Sequence, residues 1–189
     1  MTTSSPLTFH AAPAAGFDEP FAMLGECHQR VRRTLALLQR LAQHLQQHGA
    51  DDPARQAARD VLRYFDLAAP AHHEDEERHV LPLLRRLGAE GQPALAQLAE
   101  RLHEQHQRMV AAWALARPSL VGLAESAPWP AGEAEAQASL ACWQAFAGLY
   151  ESHLAAEDEV AFPAAAAHTG PASLRAMGQE MAARRGVVT

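Results

Sequence analysis

The stretch YFDLAAPAHHEDEERHVLP, residues 64–82, is answered further along the chain by AFAGLYESHLAAEDEVAFP, residues 145–163. Laid over one another without a gap, Phe65 falls on Phe146, His72 on His153, Glu76 on Glu157 and Pro82 on Pro163. Residues four apart on a helix lie one turn apart on the same face, so His72 with Glu76, and His153 with Glu157, each form a two-donor grip. Ahead of each stretch runs a segment with a single histidine on its apolar face, His28 in the first half and His106 in the second. The chain therefore reads as a histidine followed by HxxxE, used twice.

Outward from that repeat the periodicity is helical throughout. His28, Val31, Leu35, Leu38, Ala42 and Leu45 recur at three- and four-residue steps from about Asp18 to Gly49. Asp51, Asp52 and Pro53 cap a second helix that runs to Gly88, with Pro70 and Pro82 predicted to interrupt or kink it. Leu95, Leu98, Leu102, His106, Met109 and Trp113 mark a third from about Pro93 to Leu123, which stops before the linker SAPWPAGE. A fourth covers about Glu133 to His168, and a short one runs from Pro171 to Arg185. The expected class is all-α: an up-down-up-down four-helix bundle over residues 18–168, with an N-terminal arm over 1–17 and a short C-terminal helix and tail over 169–189.

Composition agrees and removes several function classes. Isoleucine, asparagine and lysine are absent, and alanine, leucine, glutamine, glutamate and arginine dominate, which favours helix over strand. A formal charge of -6 with arginines scattered along the chain offers no basic surface for nucleic acid. The opening MTTSSPLTFHAAPAAGF lacks a basic lead and an unbroken apolar run, and no stretch is long and apolar enough to span a bilayer, so the expectation is a cytoplasmic protein. Cys27 and Cys142 are too few and too far apart for a disulfide scaffold or a CxxC metal site, and are expected as reduced thiols in helices.

If the apolar faces turn inward, four imidazoles and two carboxylates meet at similar depth. A buried carboxylate with no partner costs several kcal/mol, on the order of a whole core side chain, whereas a divalent cation neutralises it and accepts imidazole lone pairs. His28, His72, Glu76, His106, His153 and Glu157 are thus the predicted metal ligands. Imidazole with carboxylate and without thiolate suits iron, manganese or zinc. The expectation is two non-haem irons, bridged by Glu76, Glu157 and an oxo or hydroxo group.

The segments ECHQRV, HHEDEERHVLP, EQHQRM and SHLAAEDEVAFP resemble the motifs of the hemerythrin HHE cation-binding family, over about Phe21 to Pro163. That resemblance implies a four-helix bundle with a di-iron centre that, in some members, binds or senses dioxygen or repairs damaged iron clusters. Oxygen-carrying hemerythrins use five histidines, with an HxxxH pair on the third helix; here His103 and His106 stand three apart, compete for one role, and His106 lies on the apolar stripe.

Around this set, His73, Glu74 and Glu77 read as a solvated edge, with Glu77 or Glu159 available to orient a ligating imidazole. His79 is a spare or supporting donor, and Tyr150, one turn before His153, is a core aromatic with a hydroxyl within reach of a bound oxygen species. Two functions compete. One is a module that binds dioxygen, peroxide or nitric oxide for sensing, storage or defence against oxidative and nitrosative stress, acting through a homo-oligomer or a separate signalling partner. The other is an enzyme: a di-iron oxidase, a peroxide consumer or a cluster-repair protein. A ferritin-like site wants Glu-x-x-His on two helices, and only Glu76 with His79 has that spacing. HEQH at His103 is not the HExxH of a zinc protease.

Overall fold

A computed structural model describes residues 16–125, 129 and 132–187. Most of the predicted arm, up to residue 15, and most of the SAPWPAGE linker lie outside the described residues. The rest forms five helices: α1 (Pro20–His48), α2 (52–89), α3 (Pro93–Ala124), α4 (133–167) and α5 (Pro171–Arg184), with no strand among the described residues. α1 packs on α2 and α4, and α3 on the same two, which closes the predicted up-down-up-down bundle. No described helix is long and apolar enough to cross a membrane.

The helix ends obey the local chemistry. Asp51 accepts the Ala54 amide at 2.9 Å as the cap of α2, with proline in the first turn. Gly91 turns the chain from α2 into α3 with φ +112°, a conformation that a side chain would strain. Nearby, Gly88 lets the helices touch, since a Cβ there would lie 2.4 Å from that of Ala96.

Pro70 and Pro82, expected to interrupt or kink the second helix, do not end α2, and Pro163 does not end α4. Each sits just after a π turn: Tyr64–Ala68 precedes Pro70, Glu76–Val80 precedes Pro82, and Glu157–Ala161 precedes Pro163. In all three, the residue before the proline donates its amide five residues back: Ala69 to Tyr64, Leu81 to Glu76, Phe162 to Glu157. Proline has no N–H and its ring crowds the carbonyl four residues back, so the widened turn accommodates it without ending the helix. Two of the three turns begin on the glutamates of the repeat.

Two apolar clusters stack along the bundle. The upper one holds Leu38, Leu41, Phe65, Trp143, Phe146 and Tyr150; the lower one holds Met23, Leu24, Leu84, Leu102, Phe162 and Met181. Phe65 and Phe146, partners in the repeat, meet edge to face with ring centres 4.8 Å apart. Each such side chain contributes roughly 1.5–3 kcal/mol on burial. These clusters hold the fold; His28, His72, Glu76, His106, His153 and Glu157 form a polar layer between them.

α5 closes the lower end, with Met177 and Met181 in the cluster. Asp75, fully buried, fastens it by ion pairs to Arg184 Nε at 2.7 Å and Arg185 Nη2 at 2.6 Å. Removing one partner of such a pair leaves uncompensated buried charge. Asp75→Ala is expected to lower unfolding free energy by roughly 3 kcal/mol, read from the urea midpoint, because both arginines are mostly enclosed.

Candidate metal centre

Each of the four long helices carries at least one of the six predicted ligands into the layer, and each of these residues is at most 5% exposed. His72 and Glu76 meet as their spacing requires, Nε2 to Oε1 at 3.1 Å, and His153 meets Glu157 Oε2 at 3.1 Å. His28 Nε2 lies 3.2 Å from Glu157 Oε2 and 3.6 Å from Glu76 Oε1. His106 Nε2 lies 3.5 Å from Glu76 Oε2 and 3.8 Å from Glu157 Oε1. All four Nε2 atoms therefore face the two carboxylates.

The opposite ring nitrogens are held from outside. His28 Nδ1 bonds Asp158 Oδ1 at 2.7 Å, and Asp158 is in turn gripped by Arg32. His106 Nδ1 bonds Glu77 Oε1 at 2.8 Å, and His153 Nδ1 bonds Gln105 Oε1 at 3.0 Å. Carboxylate or amide oxygens on Nδ1 fix the proton there and aim Nε2 inward, the usual support for a metal-ligating histidine. Yet the inward atoms make no directed hydrogen bond. His28, His106 and His153 Nε2, both nitrogens of His72 and all four glutamate oxygens are buried without a hydrogen-bond partner. One unsatisfied group is a defect; eight converging on one layer, all of these but the outward nitrogen of His72, form a donor set that a cation would satisfy.

His73 is the addition. It was expected on a solvated edge, but it is half-buried, stacks on His106 with ring centres 4.4 Å apart, and lies 6.1 Å from the His153 ring. Two groups of potential ligand atoms result: His28, His72, Glu76 and Glu157, and His73, Glu76, His106 and His153. Glu76 belongs to both. His103, by contrast, points to Glu77 and stays partly in solvent, and His79 reaches Glu180 on α5.

Residues 19–165 match the hemerythrin HHE cation binding domain. The chain belongs to that family. Membership carries metal binding with it, and the donor set fits a metal, with imidazoles and carboxylates and no thiolate among the converging groups. An uncharacterized protein of Haemophilus influenzae is 36% identical over 90 residues, which cover 48% of this hemerythrin-family chain and 52% of the relative, so the chain spans about half of that protein's length.

Sequence reasoning missed three supports. Asp158, where Glu159 had been considered, is the repeat counterpart of Glu77, so the ungapped overlay contained the signal. His73 stands three residues before Glu76, a same-face spacing, and its counterpart is the buried Leu154. Gln105 had no signal beyond lying next to His106.

Protonation balances the layer when protein atoms act alone. Burial by itself would lower the imidazoles, but the close carboxylates of Glu157 and Glu76 outweigh it at His28 and His106 and push both up to about 10. Burial wins at His72, which is lowered, and at His73, lowered to about 3 by enclosure and the neighbouring His106. Burial and mutual repulsion work to raise Glu76 and Glu157, yet the surrounding imidazoles hold both below the usual carboxylate range.

Metal must displace the protons on His28 and His106. Loading at pH 7 is expected to release protons, read with an indicator in weak buffer, and apparent affinity should climb as pH rises toward about 10. The metal-free chain gains stability from these raised values below the ordinary histidine range and loses it as pH rises through about 10, whereas the loaded chain should not.

Proposed function

We propose that this hemerythrin-family chain holds two iron ions in the polar layer and uses them to bind dioxygen or a related small molecule, such as nitric oxide or peroxide. The observation that carries the reading is the convergence of the orphaned imidazole and carboxylate atoms. His28, His72, His106 and His153 would hold the ions together with Glu76 and Glu157. His73 brings the imidazoles to five, drawn from α2 rather than as a second donor on α3. Iron held by such donors supplies an exchangeable coordination position and a change of oxidation state. The protein's part is to fix the donors, keep bulk water out of a layer sealed above and below by apolar clusters, and hold the Nδ1 protons on Asp158, Glu77 and Gln105.

Sensing, storage or defence against oxidative or nitrosative stress all fit a module of this kind, in the cytoplasm and with a separate partner or a second copy to pass on the signal. Elemental analysis of protein loaded with ferrous iron under anaerobic conditions is expected to give two irons per chain. Exposure to air should then give an iron-dependent visible absorption; its reversal under vacuum distinguishes binding from oxidation. Glu76→Ala is expected to lose iron and to lower the melting temperature of loaded protein together, because a ligand that binds only the folded state stabilises it by about 2.7 kcal/mol at a hundredfold excess over Kd. Retention of both irons in that variant would sink the bridging assignment.

A further inference from the structure

The residues of the polar layer are buried, so whatever reaches it must pass between side chains. Above the layer, α4 interrupts its helix at Leu149, and between it and α1 lies a groove of about 980 Å³ that runs from Gln46 and Gln137 down to Arg32 and Leu154. Leu35, Leu38, Trp143, Tyr150 and Leu154, all buried, line its depth. Amides line it further up, from Gln39, Gln43 and Gln46 on α1 and Gln137 and Gln144 on α4, with small alanines between them. Arg32 and Glu151 are the charged residues among those lining it, and Arg32 is committed to Asp158.

The lower end of the groove meets the centre at Tyr150. Its ring stands 6.5 Å from that of His153, edge to face, and 6.4 Å from that of His73, nearly parallel. On the far side Tyr150 is wedged against Phe65 and Phe146. One aromatic side chain thus lines the groove and neighbours the His73 and His153 rings. Its counterpart in the repeat is Ala69, so the overlay supplies no comparable barrier in the other half.

We infer that the groove between α1 and α4 is the way in for a small uncharged molecule, with Tyr150 as the barrier in front of the His73 side of the centre. The inference rests on the metal-centre reading above. A charged ligand would shed its hydration against leucine and aromatic rings, and an anion would find Arg32 already committed to Asp158, whereas dioxygen and nitric oxide have little hydration to lose. The groove is open to solvent, so its size does not select the ligand; the selection lies at Tyr150.

Three variants and two readouts test this. With iron-loaded protein and nitric oxide in a stopped-flow instrument, Ala147→Trp, which fills the groove from its wall, should slow association about tenfold. Tyr150→Leu should speed it several-fold, and Tyr150→Phe, which keeps the ring and loses the hydroxyl, should leave it within about twofold. Iron content and the final absorption spectrum should be the same in all three. Independently of metal, crystals of the metal-free chain under xenon should show the gas against Leu35, Leu38 and Leu154, and lose it in Ala147→Trp. Rates indifferent to both Ala147→Trp and Tyr150→Leu in protein that retains its iron overturn the inference, as does xenon that settles elsewhere and leaves the groove bare. A wild-type chain that takes up no iron defeats the metal-centre reading instead, and the xenon result then decides the groove alone.

Discussion

Two carboxylates buried in the middle of an otherwise apolar bundle set the terms for everything around them. Glu76 and Glu157 have no exposure, and among the described residues their ion pairs are with histidines rather than arginines. Their charge is met by imidazole, and imidazole is met on its far side by further oxygens from Asp158, Glu77 and Gln105. Polar groups thus accumulate in shells around one point, and the apolar clusters above and below supply the stability that such a layer does not.

The π turns connect this layer to the backbone. Glu76 and Glu157 each open a widened turn that closes on the residue before a proline, so the same three features, HxxxE, π turn and proline, occur twice in the same order. A π turn adds a residue without ending the helix, which shifts the face presented by everything that follows. The glutamates that open it, Val80 and Ala161 at its end, and Leu81 and Phe162 just after it are all buried.

The bundle was legible because its signals are local: proline and glycine at the helix ends, and apolar residues at steps of three and four. The six central donors were legible because a repeat fixes them twice over, and the structure brings all six together. What was not legible needed either backbone geometry or distant pairing. Pro70 and Pro82 suggested an interruption or kink in the second helix, since nothing in the letters distinguishes either from a π turn. The Asp75 clasp to Arg184 and Arg185 joins residues more than a hundred positions apart with no counterpart in the second half, where Ala156 stands. His73 looked polar among polar neighbours, HHEDEE, and only its partner Leu154 betrayed that the position faces inward.

That substitution of histidine for leucine within the repeat has a further meaning. The two halves would otherwise present the same pair of donors to the same pair of bridges, and two ions so held would be near twins, with nothing to direct an incoming molecule or an electron to one of them. His73 breaks the tie. One group of potential ligands has three imidazoles and the other two, so metals held there would meet different donors, and that asymmetry would be written into the chain by a single residue.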